Sequence, residues 1–132
     1  MIIERRMTRN TVTATPDMSI AEASNLMKQE KVHRLPVLDK DKKLVGILTE
    51  KDILYATPSP ASSLSIHEMA YLLSKLTVKK LMSKNVITIT KNTTVEEAAR
   101  MMVDQDLSSL PVLDGDKLIG IVTKAAVLAS LV

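Results

Sequence analysis

The same five-residue word, Leu-Pro-Val-Leu-Asp, stands at 35–39 and again at 110–114 of this 132-residue chain. Each copy is a short apolar run. A polar turn comes next (Lys-Asp-Lys-Lys at 40–43, Gly-Asp-Lys at 115–117), and then a second apolar run, 44–49 and 118–123. Apolar runs of this length bounded by Asp, Lys and Gly predict pairs of strands joined as hairpins. Ahead of each hairpin the period lengthens to that of a helix. Ile20, Ala23 and Met27 share one helical face, and Val95, Ala98 and Met102 share another. Both helices open on a capping-box pattern, Ser19-Ile-Ala-Glu22 and Thr94-Val-Glu-Glu97. Short apolar strands are predicted before them, at 12–14 and 86–89, and closing helices after the hairpins, at 50–56 and 124–131.

The order strand, helix, strand, strand, helix therefore occurs twice, and the residues repeat with it. At an offset of 75, Asn10-Thr11-Val12-Thr13 falls on Asn85-Val86-Ile87-Thr88, Glu22-Ala23 on Glu97-Ala98, and Met27 on Met102. The second turn is one residue shorter. At an offset of 74, Leu44-Val45-Gly46-Ile47-Leu48-Thr49 then meets Leu118-Ile119-Gly120-Ile121-Val122-Thr123. Two copies of about 50 residues are each too small to bury a good core alone. They are expected to pack on each other about a pseudo-two-fold axis, as an α/β (α+β) fold. The repeats are read as 1–56 and 78–132, with a linker at 57–77. The linker breaks the chain at Thr57-Pro-Ser-Pro-Ala-Ser-Ser. It then opens a helix on a third capping box, Ser65-Ile-His-Glu68, with Ile66, Met69, Ala70, Leu73 and Leu76 on one face. Residues 78–82 lead into the second copy as residues 3–7 lead into the first.

Composition narrows the function. With 45% hydrophobic and 25% charged residues the chain is an ordinary folded protein. It has no cysteine, which removes thiol catalysis, disulfide scaffolds, zinc ribbons and iron–sulfur clusters and suits the cytoplasm. No apolar run is long enough to span a membrane, and the first ten residues are too charged for a signal peptide. The net charge of +3 comes from 18 basic and 15 acidic residues that are interleaved. There is no Trp or Phe, so base-stacking platforms are missing and nucleic acid is not an expected partner. The segment 77–80 after the linker helix is too short for a recognition helix. Catalysis finds no support. His33 and His67 stand in unrelated elements, no nucleophile elbow or His-Glu-x-x-His occurs, and three glycines make no phosphate loop. Neither a metal nor a cofactor is expected.

Asp52 is the first residue with binding chemistry. It lies three positions beyond Thr49, at the start of a helix. A carboxylate there accepts two hydrogen bonds from vicinal hydroxyls, as a ribose offers. It equally suits the first turn of a helix capped by Thr49. The second copy keeps Thr123 and has Ala126 in place of the acid. The other asymmetry is Val32-His33-Arg34-Leu35-Pro36 against Leu107-Ser108-Ser109-Leu110-Pro111. A guanidinium fork entering a strand suits phosphate.

The repeated element order, the Leu-Pro-Val-Leu-Asp strand and the Gly46, Thr49, Asp52 element together resemble a tandem pair of CBS domains, a Bateman module. The resemblance covers all but the linker. The insert with its helix resembles bacterial CBS proteins of the acetoin-utilisation type. The resemblance implies Thr49 and Asp52 on a ribose. It implies His33, Arg34 and Ser108 on phosphate, similar to the His-Arg of the regulatory subunit of AMP-activated protein kinase. It implies an adenine pocket of Val12, Val86, Ile87, Pro36 and Pro111, with Thr123 in a second site. Thr49 and Asp52 would share a cleft with Val86, Ile87 and Ser108, and His33 and Arg34 the other with Val12, Thr123 and Ala126. The expected function is a regulatory, energy-sensing module without catalysis that binds AMP, ADP, ATP or a related adenosyl compound. The apolar Ile53, Leu54, Val127, Leu128 and Leu131 suit a homodimer. The apolar end of the chain suits a further C-terminal domain or a partner enzyme. The alternative is a ligand-free dimerisation scaffold, favoured by the missing acid at 126.

Overall fold

The computed structural model describes residues 1–9, 11–57 and 64–132. Asn10 of the repeat match and the Pro/Ser break at 58–63 lie outside the described residues. The chain forms two compact units, Val12–Val86 and Met1–Thr11 with Ile87–Val132. These units do not coincide with the repeats of the sequence. The first eleven residues pack with the second repeat, and residues 77–86 with the first.

In the unit Val12–Val86, helix α1 (Ile20–Glu30) precedes an antiparallel hairpin of β1 (Arg34–Leu38) and β2 (Leu44–Thr49). Helices α2 (Glu50–Ala56), α3 (Ile66–Lys75) and α4 (Val78–Leu81) come after it. Ser19 caps α1 by accepting the Glu22 amide at 3.1 Å, but the reciprocal bond of a capping box is absent. Lys31 ends the helix in the left-handed region, φ 56°. The predicted face is the buried one: Ile20, Ala23 and Met27 join Ala14, Leu35, Val37, Leu48 and Val78 in one core. The strand expected at 12–14 is reduced to a single parallel bridge of Ala14 with Val37. Ala14 N–H donates to the Pro36 carbonyl at 2.9 Å and Leu38 N–H to that of Ala14 at 3.0 Å. Pro16, which has no N–H to donate, then turns the chain. Helix α3 has its full capping box, Ser65 with Glu68. It is rotated from the expected face: Met69, Leu72, Leu73 and Leu76 are half-buried, and Ile66 and Ala70 are exposed.

In the other unit, β3 (Ile89–Thr90), α5 (Val95–Asp104), β4 (Ser109–Asp114), β5 (Lys117–Thr123) and α6 (Lys124–Ala129) keep the same order. The sheet runs β3-β4-β5, parallel then antiparallel. The strand expected from 86 begins at Ile89, and the helix expected to 131 ends at Ala129. There the Ser130 hydroxyl donates to the Val127 carbonyl at 2.6 Å and closes the last turn. Val95, Ala98 and Met102 are buried as predicted, with Ile3, Ile89, Leu110, Val112, Val122 and Val127.

Edge cover accounts for the exchange of segments. Each hairpin leaves its second strand with one open edge, and an unpaired edge needs a partner. Thr8 pairs with Ile121 of β5, and Ser83 with Ile47 of β2. The strands admit these straps because Gly120 and Gly46 carry no side chain there. A Cβ on Gly120 would meet the Thr8 carbonyl oxygen at 2.7 Å, and one on Gly46 the Ser83 oxygen at 2.9 Å.

Candidate functional site

The hairpin β1–β2 brings the residues with binding chemistry to one end of the unit Val12–Val86. Arg34 opens β1, Thr49 ends β2, and the two are register partners. One step further out the Glu50 amide donates to the His33 carbonyl at 2.9 Å. His33-Arg34 and Thr49-Glu50 thus lie side by side, though fifteen positions separate Arg34 from Thr49 in the chain.

Thr49 is the N-cap of α2. Its Oγ1 accepts the Asp52 amide at 3.2 Å, and the Asp52 Oδ2 accepts the Thr49 amide at 2.9 Å. This reciprocal box fixes the Asp52 carboxylate in a half-buried position. It is the only hydrogen bond that carboxylate makes among the described residues. The sequence pattern pointed to capping boxes at Ser19, Ser65 and Thr94; the full box is found at Ser65, as expected, and here, where it was not. At Thr94 only the amide of Glu97 is accepted, at 3.1 Å.

Arg34 is half-buried, and its guanidinium makes no hydrogen bond or ion pair with any described residue. Burial pulls its pKa below the usual arginine value, and the charge of Glu50 opposes that pull. His33 is exposed, with its Nδ1 at 3.0 Å from the Glu50 Oε1. A cation removed from part of its water and left without a partner is a ready acceptor for an anion.

The same backbone frame recurs at the second hairpin with different side chains. Lys124 N–H donates to the Ser108 carbonyl at 2.8 Å, and Thr123 Oγ1 accepts the Ala126 amide at 3.2 Å. Ser108 and Ser109 stand where His33 and Arg34 do, Lys124 where Glu50 does, and Ala126 where Asp52 does. Ser109 is only 6% exposed and its hydroxyl has no partner among the described residues. This end has no guanidinium and no carboxylate acceptor at the matched positions.

Among the remaining sequence candidates, Val12 and Val86 are half-buried in the first unit. Ile87 is half-buried, and Ser108 and Thr123 are exposed, in the other. Pro36 and Pro111 are fully buried within β1 and β4. Sequence reasoning passed over Glu50. Its signal was the sign change to Lys124 at the matched position. Among the described residues no group of three or more His, Asp or Glu is placed to hold a metal ion. No helix among them is long and apolar enough to cross a membrane.

The family model of the CBS domain matches residues 3–59 and 78–132. Solved structures align over nearly the whole chain. CBSX2 in complex with AMP is 30% identical, with 98% of this chain and 95% of that one covered, at a TM-score of 0.82. The CBS domain pair of protein MJ0100, in complex with 5′-methylthioadenosine and S-adenosyl-L-methionine, is 27% identical over 99% and 95%, at 0.80. A putative acetoin utilization protein from Vibrio cholerae is 25% identical over 99% and 90%, at 0.81. The chain spans 92% of one curated relative's length but only 30% and 21% of two others.

Proposed function

Since this chain belongs to the CBS-domain family and carries two copies in tandem, we propose that it is a regulatory module that binds an adenine nucleotide and has no catalytic activity of its own. The observation that carries the reading is the half-buried, unpartnered Arg34 guanidinium at the end of the hairpin where its register partner, Thr49, fixes the Asp52 carboxylate. In this reading one site replaces the two separate clefts that the resemblance implies: Thr49 and Asp52 hold the ribose hydroxyls, and Arg34 with His33 meets the phosphate of the same ligand. Val12 and Val86 offer apolar surface to the adenine. The AMP bound to CBSX2 and the adenosyl compounds bound to the MJ0100 pair support the ligand class. The second hairpin has Ser108, Thr123 and Ala126 at the matched positions, so it takes a phosphorylated nucleotide less well. Regulation results if the ligand favours one arrangement of the protein over another by its differential affinity. The absence of cysteine accords with a cytoplasmic setting.

Dimerisation is part of the same proposal. Leu54 and Tyr55 on α2 are 67% and 83% exposed, and Leu128 and Leu131 at the other end are 57% and 68% exposed. Val127 is buried in its own unit and Ile53 half-buried, so they serve the core first. Apolar side chains exposed on both closing helices support a homodimer, and they are what a ligand-free scaffold would also need.

A thermal-shift panel of adenosine, AMP, ADP, ATP, 5′-methylthioadenosine and S-adenosyl-L-methionine separates the readings. Ligand at 100 times its dissociation constant adds about 2.7 kcal/mol, which moves the melting temperature by several degrees. No shift with any of them at millimolar concentration would leave only the scaffold.

A further inference from the structure

Glu50 sits where the anion would arrive. It is the first residue of α2, its carboxylate is 3.0 Å from His33 Nδ1, and its charge is felt by Arg34. Around Arg34 the end of the hairpin carries two carboxylates, Glu50 and Asp52, with the exposed Lys51 between them in the chain. Asp52 is committed to the Thr49 amide. Glu50 is 57% exposed and bound only to an exposed histidine among the described residues. The second hairpin has Lys124 there and no adjacent arginine, so the acid accompanies the guanidinium.

We propose that Glu50 sets the charge preference of the site, so that it favours a ligand with one phosphate over one with a polyphosphate chain. This rests on the adenine-nucleotide reading and names the ligand class within it. Arg34 is the half-buried cation that meets the first phosphate, and each further phosphate charge is repelled by Glu50. Unit charges several ångströms apart at a wet surface interact by about threefold in affinity, so the two additional charges of ATP lose about tenfold relative to AMP. Glu50 also has to give up His33 before that imidazole meets a phosphate, which makes it an internal competitor for the ligand.

The test is calorimetric titration of adenosine, AMP and ATP into the wild-type chain, Glu50→Gln and Glu30→Gln. The last removes an equal charge at the exposed end of α1. Glu50→Gln is expected to leave adenosine unchanged, strengthen AMP about threefold and strengthen ATP about thirtyfold, about a tenfold change in their ratio. The gain should shrink as salt is raised to about 1 M, since the repulsion is screened. Glu30→Gln should leave the ATP-to-AMP ratio at its wild-type value. If wild type binds AMP and Glu50→Gln does not alter the ratio, or alters adenosine equally, the inference about Glu50 is overturned while the nucleotide reading stands. If wild type binds none of the three ligands, both fall.

Discussion

Replacing Gly120 with alanine adds one methyl group at the point where the amino-terminal strap crosses β5. The new Cβ would lie 2.7 Å from the Thr8 carbonyl oxygen and 2.8 Å from the Met7 sulfur. The thioether can swing aside, but the oxygen is backbone, so the strap itself has to move. Two hydrogen bonds hold it, Thr8 N–H to the Ile121 carbonyl at 2.8 Å and Ile121 N–H to that of Thr8 at 3.0 Å. Losing both costs about 1–3 kcal/mol. Keeping them instead forces overpacking, which costs a similar amount, about 1–3 kcal/mol. A shift of the strap also loosens Ile3, which is fully buried in the same unit. The expected destabilisation is about 2–4 kcal/mol. For a chain of this size that lowers the melting temperature by roughly 10 °C. Hydrogen exchange should show the Thr8 and Ile121 amides opening well before the core of the unit Val12–Val86. Gly46→Ala is the mirror experiment, with Met82 and Ser83 in the place of Met7 and Thr8. A Gly120→Ala protein that melts within about 1 °C of wild type, with the Thr8 amide still protected, would refute the close-approach explanation of these glycines.

Thr49→Ala removes the cap of α2 and should cost about 1–2 kcal/mol by urea unfolding; no change in the midpoint would contradict the capping geometry. Arg34→Ala should weaken ATP and AMP and spare adenosine in titration calorimetry, with a smaller salt dependence of AMP binding; an equal loss for adenosine would assign Arg34 to the fold. Light scattering should report a dimer for wild type and a monomer for a Leu54→Glu, Leu128→Glu double variant. A mass of 14.5 kDa for wild type across micromolar concentrations would exclude the dimer.

Much of the architecture is legible in residue order alone because the duplication states it twice. The buried faces Ile20-Ala23-Met27 and Val95-Ala98-Met102 emerge from helical period, and the strands from the Leu-Pro-Val-Leu-Asp word. The exchange of straps was not legible. Residues 3–7 precede the first repeat in the chain as residues 78–82 precede the second, and sequence order assigns each to the repeat it leads into. Which edge a segment covers depends on long-range pairing, Thr8 with Ile121 and Ser83 with Ile47, that no local period encodes. The rotation of α3 is a similar case. Ile66 and Ala70 fit the apolar stripe, yet they stay exposed, and Leu72 is half-buried beside the expected Met69, Leu73 and Leu76. At the candidate site the residue types and spacing exposed Thr49, Asp52, His33 and Arg34. Their adjacency came from hairpin register, and with it the placing of Glu50 beside the histidine and the arginine. The capping box at Thr49–Asp52 shows why residue type alone left the carboxylate with two roles.

The central claim is that Asp52 and Arg34 divide one nucleotide between them, and titration of adenosine and AMP into wild type and Asp52→Ala tests it most directly. Asp52→Ala is expected to weaken both ligands alike by about 10- to 100-fold, the loss of a charge-assisted ribose contact of about 1.5–3 kcal/mol. Adenosine and AMP affinities that match wild type in Asp52→Ala would contradict the claim and leave Asp52 as a residue of the helix cap alone.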